Sequence, residues 1–212
     1  VVAKKVSTTP SVALSGLKPG AKYWFRVAAV NIDGKGEFEY GDFTTLVTVS
    51  LPVTNLRTSQ ITSNSFTLSW TKPSFDGGSP ITDYIIEING GGLIWAPVEH
   101  EPTTTTSITI TGLKVVTKYT VRVKAVNAVG ISKVSSNSAA TTLATVPNAP
   151  TGLKVKSLTT TALVLTWTAP GNGGSAITSY LVEYSLDQGI TWKTFTNSTV
   201  TTPTITLKGL KA

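Results

Sequence analysis

From residue 66 the chain alternates in character. Phe66, Leu68 and Trp70 are apolar, while Thr67, Ser69 and Thr71 between them are polar. A period of two places the sets on opposite faces of a β-strand. The pattern returns where Tyr84, Ile86 and Ile88 flank Glu87. It returns again where Tyr119, Val121, Val123 and Ala125 alternate with Thr120, Arg122 and Lys124. Turn-forming clusters such as Asp76-Gly77-Gly78-Ser79 and Gly90-Gly91-Gly92 separate these runs. No stretch of about ten residues carries apolar positions at i, i+3, i+4 and i+7 without Gly, Pro or Thr interrupting. Threonine is the commonest residue, 37 of 212, and branching at Cβ suits it to a pleated surface rather than a helix interior. The prediction is all-β: short antiparallel strands packed as two-sheet sandwiches.

The strands come in a long repeat. Trp70 returns 97 positions later as Trp167, and Gly77-Gly78-Ser79-Pro80-Ile81-Thr82-Asp83-Tyr84 returns after 96 as Gly173-Gly174-Ser175-Ala176-Ile177-Thr178-Ser179-Tyr180. The pattern L/I-x-G-L ends at Leu17, Leu113 and Leu210, and Tyr23 through Asn31 matches Tyr119 through Asn127 at a spacing of 96. A period near 97 is the length of a domain, far above the roughly 20–50 residues of a solenoid repeat. The chain therefore divides into residues 1–49, the C-terminal part of a module, residues 50–146, a complete module, and residues 147–212, the N-terminal part of a third. Two explanations of the partial ends stand at this point. The chain is a window on a longer one, or the end pieces of neighbouring molecules complete each other as in donor-strand polymers. The linker Ala144-Thr145-Val146-Pro147-Asn148-Ala149-Pro150 is short and carries two prolines, which favours an extended connection.

Taken in order, these marks resemble the fibronectin type III family. They are Pro52 and Pro150 at the repeat starts, Trp70 and Trp167, Tyr84 and Tyr180, the L/I-x-G-L segment, and Tyr-x-Val-x-Val-x-Ala-Val-Asn from Tyr119 with Gly130 soon after. The resemblance covers the whole chain. It implies immunoglobulin-like sandwiches of seven strands, A, B and E against C, C′, F and G. Trp70, Trp167, Tyr84, Tyr180 and Leu113 would be core residues. Tyr23 and Tyr119 would be corner tyrosines whose hydroxyls bond backbone near the preceding L/I-x-G-L turn. Strands C and F are neighbours in that topology, so Glu87 is placed to pair with Arg122 across an exposed ladder.

Composition then removes most chemistries. With no Cys and one His, His100, thiolate metal sites and Cys nucleophiles are excluded, and His100 has no second His to share a metal. A Ser-His-Asp arrangement would have only His100 to use, and no G-x-S-x-G elbow accompanies it. Asp and Glu total 11, and those that recur, Glu87 and Glu183, are expected on a solvent face rather than facing a cleft as glycoside hydrolysis requires. The Gly-Gly segments lack the Lys-Ser/Thr of a phosphate loop and read as turns. Net charge is +7, spread as +2, +2 and +3 over residues 1–51, 52–146 and 147–212, with no basic run or aromatic platform for nucleic acid. No apolar run approaches the roughly 20 residues of a membrane helix.

Ser185-Leu186-Asp187-Gln188-Gly189-Ile190-Thr191-Trp192 follows the S-x-D-x-G-x-x-W pattern of sialidase Asp boxes. It is expected here as a hairpin device: Asp187 capping, Gly189 left-handed and Trp192 packed on the strand. Its occurrence in bacterial-type fibronectin repeats points to a bacterial or phage origin. Asn197-Ser198-Thr199 is a glycosylation sequon. Trp24 and Trp95 lie outside the recurring core positions and are candidates for glycan stacking or for covering a sheet edge. The function these features imply is a non-catalytic structural or adhesive array with neighbouring modules as partners, serving as spacer, stalk or decoration on a virion or cell surface. That setting is extracellular, with surface glycan or protein as further partners and no cofactor, nucleic acid or membrane insertion. The alternative is an accessory spacer or carbohydrate-contacting segment of a secreted polysaccharide-degrading enzyme.

Overall fold

A computed structural model describes residues 8–195 and 199–208. Leu210, Asn197 and Ser198, and with them the third L/I-x-G-L pattern and the sequon, lie outside the described residues. Every regular element among the described residues is a strand. The described residues fall into two compact units, one within residues 1–60, 66–110 and 118–140 and the other within residues 61–65, 111–117 and 141–212.

The first unit opens with β1 (Lys22–Val27), β2 (Val30–Asn31), β3 (Gly34–Lys35) and β4 (Glu39–Thr44). β1 and β4 form an antiparallel pair running from Lys22↔Thr44 to Val27↔Glu39. One face of that ribbon carries an aromatic cluster, with Phe25 stacked on Phe43 at 4.8 Å and Tyr23 6.4 Å from each. Val27 and Val30 are exposed.

The complete sandwich follows. Its smaller sheet is β5 (Thr54–Ser59), β6 (Phe66–Thr71) and β9 (Ser107–Ile110), in the order β5-β6-β9. Its larger sheet runs β11-β10-β7-β8, from β7 (Ile81–Asn89), β8 (Ala96–Pro97), β10 (Lys118–Asn127) and β11 (Gly130–Ile131), with β12 (Ser138–Thr141) also on β10. This is the A-B-E against C′-C-F-G arrangement that the resemblance implied. Alternation sets what is buried: Phe66, Leu68 and Trp70 on β6, Tyr84 and Ile86 on β7, and Val121, Val123 and Ala125 on β10 all face the core. Trp70 meets Tyr84 edge-on at 5.1 Å and 71°. Tyr119 is half-buried, 6.4 Å from Phe66.

The last strand of this sheet is irregular between β11 and β12, and two buried serines replace regular ladder positions there. Ser132 Oγ and Ser135 Oγ accept the amides of Ala125 and Val123 at 2.9 Å. The amides of Ser132 and Ser135 donate back to Ala125 O and Val123 O. Both side chains thereby satisfy buried backbone groups of β10 that no regular ladder partner reaches.

The second unit contains β13 (Thr151–Leu158), β14 (Ala162–Thr168) and β17 (Thr204–Lys208) in one sheet, and the short pair β15 (Glu183–Tyr184) and β16 (Lys193–Thr194). Trp167 meets Tyr180 at 5.1 Å and 70°, reproducing the Trp70–Tyr84 geometry. Trp167 and Tyr180 are half-buried, and β13 is exposed along its length. Leu113, in this unit, is half-buried, with its amide on Asn64 O.

Candidate functional site

The strongest polar cluster stands on the outer face of β7 and β10. Antiparallel register places Arg122 directly opposite Glu87. Arg122 Nε donates to Glu87 Oε2 at 2.6 Å, and Lys124 Nζ donates to Oε1 at 3.0 Å. Trp95 covers the arginine: the Arg122 guanidinium lies 4.0 Å from its ring centroid. The solvent-exposed ladder expected for Glu87 is therefore corrected. The Glu87 side chain is only 17% exposed, with Arg122 and Lys124 both drawn onto its carboxylate. Burial works to raise the Glu87 carboxyl, and hydrogen bonds and charge from Lys124 and Arg122 outweigh it, holding it below the ordinary glutamate value. A carboxyl depressed on folding stabilises the fold above its unfolded pKa and loses that contribution as pH falls through the folded one. Acid titration of the middle module should accordingly show a component lost below about pH 4. Glu87→Gln should abolish that component, as read from melting temperature against pH.

Trp95 is thus committed on one face to Arg122. Trp24, on β1, is 74% exposed, with Lys22 Nζ 4.4 Å from its centroid and Lys22 ion-paired to Asp42 at 2.9 Å. The two tryptophans belong to different modules of the repeat and make no shared aromatic surface. Nearby on the first ribbon, Arg26 and Lys35 each approach the Phe38 ring at 4.3 Å. Tyr23 has the corner arrangement that the resemblance implied, its hydroxyl accepting the Lys18 amide at 2.8 Å.

The Asp-box turn lies between β15 and β16. Ser185 Oγ donates to Asp187 Oδ1 at 2.6 Å and accepts the Gly189 amide at 2.8 Å, while the Thr191 amide and hydroxyl donate to the Asp187 carboxylate. Those hydrogen bonds, from Ser185 first and then Thr191, lower the Asp187 carboxyl to about 2. Gln188 as well as Gly189 is left-handed, at φ 62° and 89°. Trp192 departs from expectation: it is 61% exposed, lying beside Gly189 instead of packed on the strand. The turn is self-contained, which is a structural role.

His100 is half-buried and its Nδ1 lies 2.8 Å from the Glu101 carbonyl oxygen. Among the described residues no group of three His, Cys, Asp or Glu side chains is placed to hold a metal. A cleft in the second unit is lined by Thr145, Val146, Pro147, Asn172 and Ile177, among others. Its lining holds no titratable side chain: it offers the Asn172 carboxamide, backbone and hydroxyl groups, and the apolar side chains of Val146, Pro147 and Ile177.

Several polar residues that no hydrophobic period marks hold the turns and the connecting segments of each unit. Asn127 is 4% exposed. Its Nδ2 donates to Thr48 O and Asp76 O at 2.9 and 2.8 Å, and its Oδ1 accepts the amides of Val129 and Gly130. Thr45 and Thr142 each reach back to clasp the turn that leads into an earlier strand, β1 and β10 respectively. Thr45 Oγ1 donates to Lys18 O at 2.6 Å and accepts the Ala21 amide; Thr142 Oγ1 donates to Lys114 O at 2.5 Å and accepts the Thr117 amide. The signal was present: Thr44-Thr45-Leu46-Val47-Thr48 returns after 97 positions as Thr141-Thr142-Leu143-Ala144-Thr145.

The fold is that of antiparallel β-sandwich modules, with polar contacts both within a module and along the segments that connect modules. Residues 51–141 and 148–212 match the fibronectin type III domain family, and the chain belongs to it. It is 33% identical over 159 residues to fast-type myosin-binding protein C of Mus musculus, a match covering 74% of this chain and 14% of that protein. It is 32% identical over 200 residues to titin of Drosophila melanogaster, covering 86% of this chain and 1% of titin. The chain thus spans a small fraction of either relative's length. Domains d3–d4 of the rat CD45 extracellular region superpose with a TM-score of 0.55 at 20% identity, over 66% of this chain and 74% of that one, which shows the fold alone. The bacterial or phage type expected from the Asp box finds no support in these animal relatives. A self-bonded hairpin turn is reusable wherever a tight connection is needed, so it carries no lineage.

Proposed function

We propose that the chain is a non-catalytic structural array of fibronectin type III modules that provides reach and spacing within a longer structural protein. The observation that carries this reading is the recurrence of one module-building unit. The Trp–Tyr edge contact has nearly the same geometry in both places, 5.1 Å and 71° against 5.1 Å and 70°. The relatives support it, since proteins named titin and myosin-binding protein C contain matching stretches. The antiparallel sandwich, with its first and last strands tied into opposite sheets, suits end-to-end load. Pulled from its ends, the full chain should release the matched middle module in one cooperative event lengthening it by roughly 30 nm, at about 0.33–0.36 nm per residue. Smooth extension with no such event would overturn the mechanical reading.

A further inference from the structure

The Gly-Gly turns and the segments between modules fit each other closely in both units. In the first unit the Thr48 amide donates to Gly77 O at 2.9 Å and the Leu51 amide to Phe75 O at 3.0 Å. In the second, the Thr145 amide donates to Gly173 O at 2.9 Å and the Asn148 amide to Gly171 O at 3.0 Å. Each pair of partners is displaced from the other by 97 and 96 positions. A side chain cannot be accommodated at either turn. A Cβ on Gly77 would collide with Thr48 O and lie 2.8 Å from Val49 O; on Gly173 it would collide with Thr145 O and lie 2.7 Å from Val146 O. The second glycine is also crowded, Gly78 by the Gly20 backbone at 2.6 Å and Gly174 by the Val116 side chain rather than by backbone. Upstream, Thr45 and Thr142 tie the start of each linker to the turn they clasp. Only Leu46-Val47 and Leu143-Ala144 separate the clasp from the glycine contact.

We propose that the Gly-Gly turn of each module is a docking cradle for the linker of the module before it, a backbone-reading latch whose occupant is the Thr-x-x-Thr connection of another module of the same kind. Glycine is required because two backbones approach within hydrogen-bonding distance and leave no volume for a Cβ. The clasp threonine fixes the incoming segment at one end and the cradle fixes it at the other. In the first unit the Asn127 carboxamide adds a third hold by bridging the linker carbonyl of Thr48 and the turn carbonyl of Asp76. In the second unit the corresponding residues, Thr145 and Asn172, border the open cleft. The inference rests on the array reading, and it turns the array from beads on loose string into modules with anchored connections.

Amide hydrogen exchange on the full chain tests it, because the latch bonds report individually. Gly77→Ala should accelerate exchange at Thr48 and Leu51 by on the order of tenfold or more while Val121 and Val123 in the core keep their protection. Gly173→Ala should do the same at Thr145 and Asn148. Gly112→Ala is the matched comparison, since Gly112 has φ +73° and nothing within 4 Å of its Cβ position; it adds the same backbone strain without touching a linker, and the latch amides should keep their rates. Unchanged exchange at Thr48 and Leu51 in Gly77→Ala would overturn the proposal. So would acceleration matched by Gly112→Ala, or a loss spread equally over the core amides. Cooperative mechanical unfolding of the middle module is independent of these outcomes, so the latch and the array readings fail separately.

Discussion

Trp70→Ala should destabilise the middle module by about 3–5 kcal/mol, the range for deleting a buried large aromatic. Trp70 is 6% exposed, on the same face as Phe66 and Leu68, both fully buried, and edge-on to Tyr84. The backbone stays tied, its amide on Thr106 O at 3.0 Å, so the site cannot collapse freely around the missing ring. A marginally stable domain has roughly 5–15 kcal/mol in total, so the loss is a large fraction. The ring is enclosed by apolar and aromatic neighbours, and the cost is therefore chiefly one of packing. Trp167→Ala makes the comparison informative. Trp167 carries the same sequence mark and the same partner geometry, but it is half-buried beside a sheet whose β13 is exposed. Its replacement should cost about 1–3 kcal/mol, since the stabilisation follows area removed from water. Denaturant unfolding, with exchange at β6 and β14 amides to assign the transitions, measures both; equal losses would contradict the dependence on burial.

The same contrast explains how far the sequence could be read. Period-two alternation announced which faces of β6, β7 and β10 turn inward, because one buried face leaves no freedom in register. The topology that the family resemblance implied, with the Tyr84 and Tyr119 strands as neighbours, was enough to foresee Glu87 opposite Arg122. It was not enough to foresee the burial of that pair. Trp95 lies in irregular chain before β8, and nothing in its local pattern indicates that it folds back over Arg122. Lys124 joins Glu87 from a diagonal position, two residues along the same strand, which pairwise register alone does not show. Ser132 and Ser135 were invisible for a different reason. A serine hydroxyl standing in for a ladder partner carries no hydrophobic period, so the segment reads as loop.

The junctions were the least legible part, though their residues repeat as faithfully as the core. Gly77-Gly78 was sensibly read as a turn, and φ of 84° and 78° makes it one. What the turn is for depends on Thr48, some thirty residues upstream, and no propensity rule connects them. A repeat at 97 positions preserves both core and interface, and only packing tells them apart. The clasp threonines illustrate this: Thr45 and Thr142 are two among many threonines in a threonine-rich chain, distinguished solely by the turn carbonyls they meet.

Asn127→Ala should cost about 2–5 kcal/mol, because four hydrogen bonds end on one buried carboxamide and removing it strands the groups that met it. The loss divides by direction. Oδ1 holds the turn within its own module through Val129 and Gly130, whereas Nδ2 holds Thr48 and Asp76. Asn127→Asp separates the two, since a carboxyl keeps the acceptor and, when ionised, loses both donors. Facing two carbonyl oxygens in a buried site, the new carboxyl should titrate above the ordinary aspartate range, near 3.9. A carboxyl raised on folding favours the folded state when protonated, so this variant should be most stable in acid and weaken as pH rises through the elevated value. The native chain, through Glu87, changes in the opposite sense over the acid range. Melting temperature against pH for the two proteins should therefore converge in acid and diverge toward neutrality, with exchange at Thr48 rising alongside the divergence. Parallel curves would mean that the Nδ2 contacts to Thr48 and Asp76 contribute nothing to holding the linker.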